Sequence, residues 1–188
     1  MTVGVLALQG AFREHEQMLQ QMGVTVRQIR LPRDLTGIDR LIIPGGESTT
    51  IGKLLVIYDL LEPIRQRILA GMPVWGTCAG AILMSRTIVD GRPDQPSLRV
   101  MDIESRRNAF GSQLDSFEAD ITVTGLDAPF HTVFIRAPIL EKPSGECRSI
   151  ATLPDGRIVA ARQHHMLATS FHPELTQDSR MHALFLAL

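Results

Sequence analysis

Cys78 lies in Pro73-Val74-Trp75-Gly76-Thr77-Cys78-Ala79-Gly80, which runs on into the apolar Ala81-Ile82-Leu83-Met84. The pattern predicts a short buried strand, a tight turn bracketed by glycines, and a helix. A cysteine at the apex of such an elbow stands at a helix N-terminus, where the macrodipole and unpaired backbone N–H groups favour a thiolate. The same turn exposes a nucleophile and offers a backbone N–H to a developing oxyanion. A buried structural thiol fits the segment equally well, because free cysteine is among the most buried residue types. A working thiol needs a base, and the base needs an orienting carboxylate. Phe171-His172-Pro173-Glu174 supplies both within three residues, directly after the apolar stretch 166–171. In an extended chain, residues two apart project to the same side. His172 and Glu174 are therefore expected to face one site, with Pro173 restricting the backbone between them. Alone, the tripeptide also fits a surface His and Glu at a strand end. Its place at the carboxyl end of a buried strand, where ligands gather in open α/β sheets, favours a site.

A third segment, Pro44-Gly45-Gly46-Glu47-Ser48-Thr49, closes the apolar run 40–43. Glycines there allow close approach to a ligand, with N–H groups pointing into the site. A plain strand-to-helix turn with Ser48 as N-cap fits as well. The spacing and Lys-Ser/Thr ending of a phosphate-binding loop are absent, and Glu47 would repel a phosphate.

The elements that must position these residues follow from periodicity. Residues 3–8 form a near-continuous apolar run, the pattern of a strand buried on both faces. Residues 11–22 follow as a helix with Phe12, Met18, Leu19 and Met22 at helical spacing, stopped by Gly23. Strands are predicted at 24–29, 40–43 and around Val74-Trp75, with helices after Ser48 and over 64–69. Such alternation argues for a parallel sheet with helices on both faces. The second half crowds strands at 116–124, 131–135, 148–153, 157–161 and 166–171, with a hairpin signal at Asp155-Gly156. A closing amphipathic helix is expected over 179–188, and 90–97, rich in Pro, Gly and Asp, reads as a mobile surface loop. The expected fold is three-layered α/β: a mostly parallel central sheet, helices on both faces, an antiparallel portion in the C-terminal half, and one domain over 1–188.

Composition narrows the function classes. With 188 residues, 44% hydrophobic and 21% charged, the chain has ample length for one core. A net charge of -1 gives no electrostatic case for nucleic acid or an anionic membrane. The N-terminal run lacks a basic region before it and meets charge at Arg13, so neither a signal peptide nor a membrane span is expected. Cys78 and Cys147 lie in unlike contexts and suggest no disulfide framework. A cytoplasmic location is expected, since a reducing compartment suits a working thiol. Cys147 has no base or elbow beside it and reads as structural. His164-His165 would make a poor metal chelate, because neighbours on a strand face opposite ways. No metal or organic cofactor is expected.

Taken together, these segments resemble the class I (triad) glutamine amidotransferases, and within them the glutaminase subunits of pyridoxal 5′-phosphate synthase. The similarity runs nearly end to end: Val3 to Ala11, Pro44-Gly45-Gly46-Glu47-Ser48-Thr49-Thr50, Gly76-Thr77-Cys78-Ala79-Gly80, Arg107-Asn108-Ala109-Phe110-Gly111, Phe134-Ile135-Arg136-Ala137-Pro138 and Ser170 to Thr176. The cysteine elbow with His-Pro-Glu is common to many such enzymes; the Gly-Gly-Glu-Ser-Thr, Arg-Asn-Ala-Phe-Gly and Phe-Ile-Arg-Ala-Pro segments are more specific.

The resemblance implies glutamine hydrolysis by Cys78, His172 and Glu174 through a γ-glutamyl thioester, with the N–H groups of Gly46 and Ala79 as oxyanion hole. It assigns glutamine contacts to Gly46, Glu47, Ser48, Arg107, Ile135 and Arg136, the arginines suiting an α-carboxylate. It also implies a separate synthase subunit that takes the ammonia and switches the glutaminase on by docking, with Gln9 near that contact. Three positions depart from the family pattern: Ser105 replaces an apolar residue, Ser112 an arginine, and His164-His165 a Gly-Asn-like turn. Two rivals remain at this point: another cysteine hydrolase on a similar sheet, such as a γ-glutamyl hydrolase or stand-alone glutaminase, and a non-catalytic binding domain.

Overall fold

The computed structural model describes residues 1–89, 91–107 and 116–188. The first half alternates strand and helix: β1 (Thr2–Leu6), α1 (Phe12–Gln21), β2 (Thr25–Ile29), β3 (Arg40–Ile43), α2 (Ser48–Ile57), α3 (Leu61–Leu69), β4 (Val74–Thr77) and α4 (Ala79–Met84). Strands dominate the second: β5 (Ser85–Ile88), β6 (Met101–Arg106), β7 (Ser116–Ile121), β8 (Phe130–Ile135), β9 (Ile139–Glu141), β10 (Arg148–Thr152), β11 (Ile158–Gln163) and β12 (Met166–Thr169), before α5 (Arg180–Leu186).

Among the described residues ten strands join one sheet in the order β2-β1-β3-β4-β12-β11-β9-β6-β5, with β10 paired to β11. The strands from β2 to β12 are parallel, as continuous apolar runs buried on both faces require. Beyond β12 the chain turns back: β11, β9 and β6 continue antiparallel, and β10 meets β11 across the expected Asp155-Gly156 turn. β7 and β8 form a separate antiparallel pair.

Alternation along the strands splits the core in two. Leu41 and Ile43 of β3 pack with Ile51 and Leu55 of α2, Ile64 and Ile68 of α3, and Leu83 of α4. Val3 and Val5 of β1, with Ile42 between its β3 neighbours, pack on the other face against Leu19 of α1, Phe185 of α5, and Phe130 and Phe134 of β8. Each of these side chains, fully withdrawn from water, contributes roughly 1.5–3 kcal/mol. The three-layer α/β architecture is thus the one expected.

Several details differ. β12 ends at Thr169 rather than 171, because His172 turns into the 3₁₀ turn Pro173–Leu175. β6 and β9 were not expected: β6 carries Asp102, Glu104 and Arg106 on its partly exposed face, while Met101, Ile103 and Ser105 are buried. The 90–97 segment is not wholly a surface loop. Asp90 lies outside the described residues, but Gln95 is buried and donates to Ser48 Oγ at 3.2 Å.

Candidate active site

The elbow forms where β4 meets α4. Cys78 is its pivot, with φ 48° and ψ −103°, a backbone conformation that non-glycine residues rarely adopt. Such a residue costs on the order of 1–3 kcal/mol and persists only where its surroundings over-determine it. Here the Cys78 N–H donates to the Thr169 carbonyl at 2.8 Å, and the Cys78 carbonyl accepts from Ile82 N at 3.2 Å. The flanking glycines permit the bend: a Cβ on Gly80 would strike the backbone carbonyl of Ile43, and one on Gly76 would strike the Gly80 backbone. The thiol is nearly buried, and its Sγ lies 3.9 Å from the Ile135 carbonyl. Both readings of Cys78 therefore hold at once: it is buried, and it stands where a nucleophile would stand. Ala79 opens α4, so its N–H is among those without an intrahelical partner.

His172 and Glu174 meet Cys78 from the end of β12. They do not sit in extended chain as expected; the 3₁₀ turn Pro173–Leu175 carries Glu174 back under the imidazole. The His172 N–H donates to the Val133 carbonyl at 2.8 Å, which ties the turn to β8. His172 Nδ1 and Glu174 Oε1 are 2.7 Å apart, with both residues buried. Since an ionised carboxylate only accepts, Nδ1 carries the proton and Nε2 is left towards Cys78. Burial pulls the His172 pKa down, but hydrogen bonds to Cys78 and Glu174 and their charges more than reverse this, raising it to about 10. Glu174 is pushed up by burial and then held below the usual carboxylate range by His15 and His172.

The Pro44–Glu47 loop lies against this pair. A Cβ on Gly45 would run into the His172 ring, with Cys78 Cβ 3.3 Å away. Gly46 packs on the Gln9 side chain, whose Oε1 accepts from Glu47 N at 2.8 Å, and the Gly45 carbonyl accepts from Ala11 N at 2.9 Å. The β1–α1 turn thus clamps the loop. The expected cap is corrected here: Glu47, not Ser48, caps α2, its carboxylate accepting from Thr49 N at 3.2 Å and Thr50 N at 2.6 Å. An anion at that end is also favoured by the helix dipole. Desolvation raises the Glu47 pKa, but the Thr49 and Thr50 hydrogen bonds outweigh it and hold the carboxyl at about 2.

These parts surround a cavity of ≈ 330 Å³, within the range of small-molecule sites. Cys78 and His172 line one side, and Gln9, Gly46, Glu47 and Ser48 another. Arg107, Ile135 and Arg136 complete the wall, with Arg107 Nη2 3.4 Å from Glu47 Oε1. Ile82, not anticipated, also contributes. Every residue singled out from the sequence reaches this cavity except Ala79, at the buried start of α4, and Glu174, behind His172. A nucleophile, a base backed by its orienter, and two guanidinium groups therefore meet at one space with the Gly46 loop along its wall, a set suited to acyl transfer from a small carboxylate-bearing substrate.

Cys147 is buried, and burial pushes its thiol up to about 11, as a structural cysteine requires. His164 occupies a turn at φ 52°, and His165 Nε2 donates to the Ile68 carbonyl at 2.8 Å. Ser105 is buried in β6, and Ser112 and the 108–111 part of the Arg107 segment lie outside the described residues. Among the described residues no group of three or more His, Cys, Asp or Glu is arranged to hold a metal ion, and no helix is long and apolar enough to cross a membrane. Sequence reasoning missed His15, buried beside Glu174, and His182, buried against His15.

Comparison with known proteins finds relatives along the whole chain. Residues 5–188 match the SNO glutamine amidotransferase family. A protein of Roseiflexus sp. (strain RS-1), named pyridoxal 5′-phosphate synthase subunit PdxT, is 65% identical over 100% of both chains. One of the same name from Herpetosiphon aurantiacus is 64% identical, again over 100% of both. A crystal structure described as a glutamine amidotransferase superposes with a TM-score of 0.93 at 48% identity, covering 98% of this chain and 97% of that one.

Proposed function

The chain belongs to the SNO glutamine amidotransferase family, and from that premise we propose that it hydrolyses L-glutamine to L-glutamate and ammonia on Cys78, His172 and Glu174. The observation that carries this reading is the convergence of Cys78, on its strained elbow, with the Glu174-oriented His172 at the wall of one small-molecule cavity. Cys78 gives its thiol proton to His172, Sγ attacks the side-chain amide carbon of glutamine, and the carbonyl oxygen takes the negative charge. The N–H groups of Ala79 and Gly46 hold that oxygen; losing such a donor costs on the order of a hundredfold or more in rate. His172 gives its proton to the amide nitrogen, the C–N bond breaks, and ammonia leaves a γ-glutamyl thioester on Cys78. A water then loses a proton to His172 and attacks the thioester; the C–S bond breaks and glutamate departs.

Arg107 and Arg136 are the guanidinium groups available to the α-carboxylate, with Gly46, Glu47, Ser48 and Ile135 forming the rest of the glutamine site. The relatives' name supports a further step, in which ammonia passes to a separate synthase subunit that makes pyridoxal 5′-phosphate. Gln9 holds Glu47 N beside the oxyanion loop, so docking near the β1–α1 turn would act on that loop. Residues 1–188 would serve as a single glutaminase domain in the cytoplasm.

The test is glutamate release from glutamine, with and without the synthase subunit. Turnover stimulated by that subunit is expected, together with stoichiometric labelling of Cys78 by a glutamine-analogue diazo-ketone and loss of activity in Cys78→Ala. Strong turnover by the chain alone would favour a stand-alone glutaminase; none in either condition would sink the proposal.

A further inference from the structure

Two buried histidines lie beside the triad, and neither lines the cavity. His15 of α1 and His182 of α5 are both 0% exposed. His15 Nε2 sits 3.4 Å from Glu174 Oε2, the carboxylate oxygen that His172 does not use, and 3.2 Å from Thr77 Oγ1. His15 Nδ1 is 2.9 Å from His182 Nε2. Trp75 packs edge-on against both rings, at 5.6 Å and 4.9 Å between centroids, and is itself held by its Nε1 donating to Thr169 Oγ1 at 3.1 Å. Four elements of the fold thus fix where these rings stand.

We propose that His15 and His182 are positioning residues: His182 sets the tautomer of His15, so that His15 presents an N–H to Glu174 and holds it as the acceptor His172 requires. The inference rests on the glutaminase reading for its catalytic consequence, though not for its geometry.

The assignment follows from donor and acceptor accounting. Desolvation lowers the pKa of both histidines, that of His182 to about 2, so each ring is neutral with one N–H and one lone pair. Two arrangements satisfy the 2.9 Å contact between them. If His15 Nδ1 donated, its Nε2 lone pair would face the Glu174 carboxylate. The His182 proton would then sit on Nδ1, which has no partner among the described residues. An orphaned buried N–H and a lone pair against an anion are both costly. If His182 Nε2 donates instead, the unpartnered His182 Nδ1 is only a lone pair, and His15 Nε2–H goes to Thr77 Oγ1 at 3.2 Å with Glu174 Oε2 3.4 Å from the same nitrogen. Glu174 Oε2 makes no hydrogen bond among the described residues, and its 3.4 Å approach to His15 Nε2 is an electrostatic contact. The 3.4 Å separation suits a resting site whose hydrogen bonds tighten during reaction. The charged or titratable groups facing His15 are Glu174, His172 and Glu14, with His182 in contact.

Histidine side-chain nitrogen NMR on the wild-type chain at neutral pH reads the geometry without any turnover. Both rings are expected neutral with the proton on Nε2; an Nδ1 proton or an imidazolium at His15 would overturn the proposal. Steady-state kinetics with the synthase subunit read the consequence. His15→Leu is expected to lower kcat about 10- to 100-fold, the cost of a slightly misplaced catalytic group, with KM for glutamine little changed. His15→Gln, whose amide can offer a comparable N–H, should recover most of that loss. Equal losses in both variants, in step with their melting temperatures, would mean packing alone and would refute the positioning role, as would an unimpaired His15→Leu. Should His15→Leu not fold, His182→Gln against His182→Leu makes the same comparison one residue further out. Failure of the wild-type chain to release glutamate would count against the glutaminase reading only, since the tautomers are decided by the spectra.

Discussion

Replacing Glu174 by Gln changes little in shape and much in electrostatics. Both oxygens of the carboxylate can accept; only one end of an amide can. Glu174 Oε1 takes the proton of His172 Nδ1 at 2.7 Å, and Oε2 faces His15 Nε2 at 3.4 Å. In Glu174→Gln the NH2 group must therefore confront one of two N–H groups in a site that is 5% exposed. With the amide oxygen towards His172, the geometry survives but the bond falls from charge-assisted to neutral. Hydrogen bonds to charged groups are worth about 1.5–3 kcal/mol against about 0.5–1.5 for neutral pairs. Adding the lost counter-charge to the His172 imidazolium, a loss of about 2–3 kcal/mol of transition-state stabilisation is expected, or roughly 30- to 150-fold in rate. With the NH2 towards His172, the imidazole would adopt the wrong tautomer, and losses approaching ~10⁴ are on record for the analogous change in a serine triad.

The assay is glutamate release with saturating synthase subunit, with kcat and KM resolved separately. The loss should fall on kcat, because Glu174 does not line the cavity that holds the substrate. The alkaline limb of the pH profile should also move to lower pH, since Glu174 is one of the groups that raise His172. A kcat within about threefold of wild type, well under the charge-assisted difference, would refute the reasoning. So would a loss expressed mainly in KM.

Three further outcomes follow from other parts of the fold. His172 titrates at about 10 when folded against an ordinary 6.5, so its contribution to stability is complete below pH 6.5 and lost as pH rises towards 10. Melting temperature should fall across that window, and less steeply in Cys78→Ala, which removes one of the groups responsible. Gly80→Ala should cost about 1–3 kcal/mol or more in chemical denaturation and abolish glutaminase activity, since the obstructing atom is the Ile43 backbone carbonyl and cannot rotate aside. Gly23→Ala, at φ 75° with nothing within 4 Å, should cost about 1 kcal/mol and leave activity intact; similar activity in the two variants would contradict the elbow packing. Ser105 is fully buried, with its hydroxyl unpartnered among the described residues, so Ser105→Ala should be neutral or stabilising by up to about 1 kcal/mol, and a clear drop in denaturation midpoint would show that Oγ is satisfied.

Much of this site was legible because its chemistry is local in sequence. Gly76, Cys78 and Gly80 make one turn whose steric demands involve the turn itself and the strand beside it. His172 and Glu174 are two residues apart, so their pairing needed no knowledge of the fold. Local pattern was less reliable where two residues competed for one role. Ser48 has the better N-cap side chain by type, yet Glu47 takes the position because its longer carboxylate reaches two N–H groups and Arg107 lies beside it. The extended geometry expected for 172–174 failed for a related reason. Pro173 fits the first position of a 3₁₀ turn, and that turn lets His172 and Glu174 bond to each other rather than merely face the same way.

His15 marks where local reasoning stops. The helical period that turns Phe12, Met18 and Leu19 of α1 inward also turns His15 inward, three residues after the first and three before the second. A buried polar side chain on an apolar stripe needs a partner, and that requirement could have flagged His15 from sequence alone. Its partners could not have been named. Thr77, Glu174 and His182 come from β4, the turn after β12 and α5, and the contact with His182 closes across 167 positions. Only the parallel sheet brings β4 and β12 side by side, and only α1 and α5 packed on the same face of that sheet bring the two rings together. The cysteine and its base are thus written in short segments, whereas the surroundings that hold Glu174 in place are a property of the assembled layers.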